Sequence, residues 1–140
     1  MFGDFDHVGL FVLDLDGAVA EARATLGLEI ARTAALTDYS IDAVFLGPGN
    51  GTLEIFTCTD PVLRDARLDG RDRRLDHIAF RVEGLDALGA MLRAAGARFT
   101  GPDRREEITE PISLGPARHL WTMPDTTGGV ALQLIEPPAH

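Results

Sequence analysis

Two short segments of the chain repeat one pattern of residue types. The segment "FDHVGLFV" covers residues 5–12 and "LDHIAFRV" covers residues 75–82, and each places an Asp–His pair before an alternating apolar run. Their histidines, His7 and His77, stand 70 residues apart in a chain of 140. A repeat of this length that occurs only twice predicts two paired supersecondary modules and argues against a solenoid.

The residues that follow each repeat predict the same order of elements, β-α-β-β-β. Apolar residues at helical spacing predict helices over 14–26 and 85–95, and a glycine follows each of them (Gly27 and Gly96). Alternating apolar runs then predict the remaining strands of each half. The expected fold class is α+β, with two βαβββ modules that form a curved mixed sheet around a cleft.

The length of the chain and the positions of the repeats predict its domain organisation. A chain of 140 residues suits one domain. We therefore expect a single domain over residues 1–140, with the first module at about 4–60 and the second at about 74–137.

Strand alternation assigns four polar side chains to one face of the sheet. The aliphatic residues of each opening strand should pack under the helices, which sends His7 and His77 to the opposite, concave face. In the closing strands "TLEIF" and "ALQLI" the leucines and isoleucines take the helix side, so Glu54 and Gln133 also point to the concave face. Each module therefore contributes two potential metal ligands to one cavity.

These four groups have the chemistry of a divalent metal site. Imidazole, carboxylate and amide oxygen together suit a borderline or hard ion and leave positions for water or substrate. We therefore expect a divalent metal ion as cofactor. The ligand types alone do not distinguish among Co, Ni, Zn, Mn, Mg and Fe, so all six stay open.

Composition excludes several other classes of function. The net charge is −9, and all 13 cationic side chains are arginine. This charge argues against general binding of nucleic acid or of anionic membranes, and the absence of lysine removes Schiff-base chemistry. The sequence has no apolar run near the length of about 18 residues that a membrane span needs. A single cysteine, Cys58, is typical of a reducing compartment, so we expect a cytoplasmic protein with a small-molecule substrate.

Nearly the whole chain resembles the vicinal oxygen chelate (glyoxalase/bleomycin resistance/dioxygenase) superfamily. Within that superfamily it is most similar to the methylmalonyl-CoA epimerase family. The shared motifs are "DHVGL" at the first opening strand, "LEIF" followed by "TDP", "DHIAFRV", and "PDTTGGV" before the last strand.

The resemblance implies a mechanism and a set of site residues. It implies an epimerase or isomerase that moves an α-proton through a metal-stabilised enolate. The implied metal ligands are His7, Glu54, His77 and Gln133. The implied catalytic carboxylates are Asp38 and Glu54, with Asp42 as a substitute for Asp38.

Two departures from the epimerase pattern bear on the substrate. Gln133 stands where the family has a glutamate that is its second candidate base, and an amide cannot accept that proton. The chain also lacks a lysine that the family commonly carries near its last strand. The phosphates of an acyl-CoA thioester would therefore depend on arginines such as Arg64, Arg71, Arg73 and Arg74.

Other functions of the same fold remain open from the sequence. A glyoxalase-like lyase would use a similar metal site, and an iron dioxygenase fits less well because its usual carboxylate falls at Gln133. A non-enzymatic antibiotic-binding protein could line a cleft with Tyr39, Phe56, His119 and Trp121. We favour an enzyme, and we expect it to form a homodimer.

Overall fold

The structure is a computed structural model that describes residues 1–139. Ten strands and three α-helices within these residues confirm the predicted α+β class, with the expected β-α-β-β-β order in the first module and two additional short strands in the second. The strands are β1 (Phe2–Val12), β2 (Ile30–Leu36), β3 (Ile41–Leu46), β4 (Leu53–Cys58), β5 (Arg73–Val82), β6 (Phe99–Thr100), β7 (Glu107–Ile108), β8 (Ile112–Leu114), β9 (Ala117–Thr122) and β10 (Ala131–Glu136). The helices are α1 (Leu15–Leu26), α2 (Pro61–Leu68) and α3 (Leu85–Ala94). None of the helices described is both long and apolar enough to cross a membrane.

The chain divides into two compact units. One is His7–Asp76, and the other combines Met1–Asp6 with the chain from His77 onward. The prediction of a single domain over the whole length stays a prediction.

In the unit His7–Asp76 the strands lie in the order β2-β3-β4-β1. β1 and β4 run parallel, whereas β3 is antiparallel to both β2 and β4. α1 packs on one face of this sheet, where Val12, Leu46 and Ile55 meet Ala18 and Ala22 of the helix. The predicted helix over 14–26 is confirmed, with Asp14 as the cap that accepts a hydrogen bond from the backbone N–H three residues later.

The opposite face of the same unit carries a second core. Phe11, Phe45 and Phe56 are buried there, together with Leu68 of α2. Phe11 lies on the face of β1 opposite to Val8, Leu10 and Val12, as the two-residue period of a strand predicts. We call this surface the inner face of the unit, because it is the face turned away from α1.

Helix α2 departs from the expected order β-α-β-β-β, which has no helix between β4 and β5. Asp60 caps its first turn by accepting hydrogen bonds from two backbone N–H groups, and Pro61 occupies the first helical position. Both are helix-start signals that the sequence contains. Arg67 lies over the Phe11 ring at 4.7 Å, and its Nε and Nη2 donate to Asp76 at 3.1 and 2.9 Å. The segment Pro61–Leu68 is therefore a helix that packs on the inner face.

In the second unit the strands lie in the order β5-β10-β9-β6-β7, and β8 pairs with β9. β10 is parallel to β5 and antiparallel to β9. α3 covers one face of this sheet, where Leu85 and Leu88 pack with Val82, Leu120 and Leu134. The predicted helix over 85–95 is confirmed, and its last helical residue is Ala94.

A carboxylate from the last strand caps α3. The N-cap position is Gly84, which has no side chain to offer. Glu136 accepts a hydrogen bond from the Leu85 backbone N–H at 2.8 Å and another from Arg118 Nη1 at 2.9 Å. Arg118 also donates to Asp86 at 2.7 Å, and this hydrogen bond holds the pKa of Asp86 below its ordinary value. The Asp86 carboxylate therefore stabilises the folded state above its ordinary pKa, and that contribution is lost as the pH falls through the lowered value.

We predict that Glu136→Ala lowers the free energy of unfolding by about 1 kcal/mol, because the first turn of α3 loses its cap. Chemical denaturation followed by circular dichroism measures the change. Glu110→Ala is the matched control, because Glu110 is an exposed carboxylate that caps no helix. Equal stability of the two variants would contradict the capping role of Glu136.

Candidate metal centre

His7 and Glu54 are brought together by the register of β1 and β4. Glu54 lies opposite Gly9 in the parallel ladder, so its side chain shares the inner face with His7, two residues from Gly9. The two side chains meet at 3.2 Å between His7 Nε2 and Glu54 Oε1. The His7 ring is 2% exposed and meets Phe45 edge-to-face at 5.2 Å. Packing thus fixes the imidazole beside the carboxylate.

The second unit repeats this arrangement with an amide in place of the carboxylate. Gln133 lies opposite Ala79 in the parallel ladder of β5 and β10, and Ala79 is two residues from His77. His77 and Gln133 therefore lie on the sheet face opposite α3, and both are buried. Glu54 and Gln133 occupy equivalent positions in the two modules, as the repeat predicts.

Three of the four predicted ligands form a cluster. One ligand atom from each of His7, Glu54 and His77 lies within 4.8 Å of the others. Ligand atoms at this separation are close enough to be candidates for holding one metal ion. Two imidazole nitrogens and one carboxylate oxygen suit a borderline divalent ion. The residues present therefore fit a divalent metal.

Gln133 also has the features of a ligand. Its Nε2 lies 3.1 Å from His119 Nδ1, and its Oε1 is buried with no hydrogen-bond partner among residues 1–139. Buried acceptors are nearly always satisfied in folded proteins, and a bound cation would satisfy this one.

The two other carboxylates of the sequence analysis lie outside the cluster. Asp38 is exposed in a single 3₁₀ turn, Thr37–Tyr39, just before β3. Asp42 shares its face of β3 with Val44 and Leu46, which pack on the α1 side. Asp42 therefore faces away from His7 and Glu54, which removes it as a substitute base.

The aromatic groups considered for an antibiotic-binding cleft are largely used in packing. Phe56 is 3% and Trp121 is 4% exposed. Tyr39 packs partly buried against the inner-face core of its unit, and the His119 ring stacks on Trp121 with centroids 5.4 Å apart. These contacts do not favour a binding protein that lacks a metal.

One arginine on the same sheet face as Glu54, Arg32, was not among the residues expected from the sequence. Arg32 of β2 pairs in register with Phe45, which pairs with Glu54, so the three share one face of the sheet. The Arg32 guanidinium lies 3.6 Å from the centroid of the Phe45 ring. Alternation along β2 was the signal that could have found it.

The four arginines that were expected to bind the phosphates of coenzyme A differ in their contacts. Arg64 pairs with Asp65, and Arg73 pairs with Glu21. Arg74 donates to a backbone carbonyl of α2, and Arg71 is exposed.

Comparison with known families agrees with this geometry. The profile of the Glyoxalase/Bleomycin resistance protein/Dioxygenase superfamily matches residues 6–111. The chain belongs to this superfamily. The match includes His7, Glu54 and His77, the three residues of the cluster.

The superfamily members similar to this chain include methylmalonyl-CoA epimerases. The ethylmalonyl-CoA/methylmalonyl-CoA epimerase of Cereibacter sphaeroides is 29% identical over 106 residues, which are 72% of this chain and 77% of that protein. The crystal structure of the Mycobacterium tuberculosis methylmalonyl-CoA epimerase is 26% identical, with a TM-score of 0.78 over 96% of this chain and 88% of that one. A Streptomyces coelicolor methylmalonyl-CoA epimerase variant in complex with 2-nitronate-propionyl-CoA shares the fold, at 24% identity and a TM-score of 0.79 over 99% and 100% of the two chains.

We predict that the purified protein binds one equivalent of Co²⁺ and that His77→Ala weakens this binding by at least about 100-fold, because a direct ligand is lost. Competition with a chelator measures the affinity. Glu106→Ala, which removes an exposed carboxylate, is the control and should bind as tightly as the wild type. Equal affinity of His77→Ala and the wild type would contradict the site.

Proposed function

We propose that this protein is a divalent-metal-dependent epimerase that acts on an acyl-CoA thioester of the methylmalonyl-CoA type. The observation that carries the proposal is the cluster of His7, Glu54 and His77, whose ligand atoms lie within 4.8 Å of one another. Its similarity to methylmalonyl-CoA epimerases supports the choice of substrate class.

In this proposal His7, Glu54, His77 and Gln133 hold the ion. A bound divalent cation would polarise the thioester carbonyl and stabilise the negative charge that develops as the α-proton leaves. The chain itself must orient the substrate and move the proton. Burial of both imidazoles keeps the ligand set fixed before substrate arrives.

Proton transfer is assigned to Asp38 and Glu54. Epimerisation removes a proton from one face of a carbon and returns one to the other face, so two proton-carrying groups serve it best. Gln133 cannot take part, because an amide does not accept the proton. The 3₁₀ turn that carries Asp38 adjoins the inner face, since Tyr39 packs into the core of that face.

Arg32 supports an anionic substrate. Its guanidinium lies over Phe45 on the face that carries Glu54. Within residues 1–139 it pairs with no carboxylate, although the chain contains 22 acidic residues. It is therefore available for the carboxylate or a phosphate of the substrate.

Location and assembly remain predictions of the sequence analysis. We keep the cytoplasm as the expected compartment and a homodimer as the expected assembly. A glyoxalase-like lyase would use the same ligands, but no described contact of this chain favours it over an epimerase.

We predict that the metal-loaded protein exchanges the α-proton of methylmalonyl-CoA in deuterated water. Asp38→Asn should slow the exchange by about 100-fold or more, because one of the two proton-carrying groups is lost. Mass spectrometry of the thioester over time measures the rate.

Asp16→Asn serves as the control for this experiment. It changes an exposed carboxylate in the first turn of α1, on the face away from His7 and Glu54, and should exchange at the wild-type rate. Full exchange by Asp38→Asn would leave Glu54 as the carboxylate that moves the proton. No exchange by the metal-loaded wild type would contradict the epimerase proposal.

A further inference from the structure

The Gln133 amide has one end that can bind a cation and one that cannot. Its oxygen is a possible ligand, whereas its NH₂ group only donates hydrogen bonds. A carboxylate at this position would present an oxygen in either orientation. An amide binds a cation in only one of its two orientations. A metal site that uses glutamine therefore needs a second group that stabilises the orientation with the oxygen toward the ion.

His119 lies where it can stabilise that orientation of the Gln133 amide. Its Nδ1 lies 3.1 Å from Gln133 Nε2, and both side chains belong to the same unit. A neutral imidazole with its proton on Nε2 presents Nδ1 as an acceptor, so it binds the NH₂ end of the amide. The amide oxygen Oε1 can then bind a cation on the sheet face that Gln133 shares with His77.

Packing fixes the ring that makes this contact. His119 is 9% exposed and stacks on Trp121 at an interplanar angle of 13°. Trp121 lies directly opposite Gln133 in the antiparallel ladder of β9 and β10. The stack therefore fixes the plane of the imidazole ring beside the amide.

The unpartnered oxygen is an independent sign of a ligand. Gln133 Oε1 is buried and accepts no hydrogen bond from the described residues, whereas the other end of the same amide is satisfied. A buried acceptor without a hydrogen bond lowers the stability of the folded protein unless another group, such as a cation, binds it.

We propose that His119 is a positioning residue that fixes the Gln133 amide with its oxygen toward a divalent cation. This inference rests on the metal site of the proposed function. It explains how glutamine serves at a position where a carboxylate would need no such support.

Two variants of His119 separate positioning from packing. His119→Leu removes the acceptor, and His119→Asn keeps an oxygen close to the place of Nδ1. The Co²⁺ affinity is measured by chelator competition, and the visible absorption of bound Co²⁺ reports the ligand set. Thermal unfolding of the metal-free proteins reports the structural cost of each change.

We expect His119→Leu to bind Co²⁺ about 10- to 100-fold more weakly with an altered visible spectrum, and His119→Asn to stay within about threefold of the wild type. In a Gln133→Glu background, His119→Leu should change the affinity by less than about threefold, because either carboxylate oxygen can bind. This background keeps the test decisive if His119→Leu lowers stability.

The inference is overturned if His119→Leu leaves affinity and spectrum unchanged, or if it weakens binding equally in both backgrounds. A wild type that binds Co²⁺ but exchanges no α-proton would overturn the epimerase proposal while leaving this result readable. A wild type that binds no divalent ion would overturn both.

Discussion

The parallel register of β1 and β4 is the constraint on which the candidate site depends. Because side chains alternate along a strand, pairing Gly9 with Glu54 places Glu54 beside His7 on the inner face. A slip of one residue would turn Glu54 toward α1 and would turn Leu53 and Ile55, which pack on the α1 side, to the inner face. The packing against α1 and the positions of two candidate metal ligands, His7 and Glu54, thus depend on the same strand pairing.

The second unit uses the same register with a different closing residue. Gln133 pairs with Ala79 as Glu54 pairs with Gly9, but the amide brings no charge and cannot move a proton. One module therefore supplies an imidazole and a carboxylate, and the other supplies an imidazole and an amide. In the proposed function this asymmetry leaves proton transfer to carboxylates of the first module, and in our further proposal it makes His119 the group that orients the amide.

The sequence predicted those parts of the structure that have a period. The alternation of "FDHVGLFV" and "LDHIAFRV" placed both histidines opposite the helices, and the apolar residues at helical spacing placed α1 and α3 within a residue of their ends. Contacts without a period were missed. α2 is only eight residues long, and the pairing of His119 with Gln133 joins two strands whose register no local pattern reveals. Asp38 lies in a 3₁₀ turn, where alternation assigns no direction to its side chain.

Crystallography of the Co²⁺-loaded protein with diffraction at the cobalt absorption edge tests the metal site most directly. We expect one anomalous peak, with His7, Glu54 and His77 each contributing an atom at about 2.0–2.3 Å and the Gln133 oxygen facing the ion. A peak elsewhere on the chain, or a cobalt ion bound without the two histidines, would contradict a metal site shared by the two repeats.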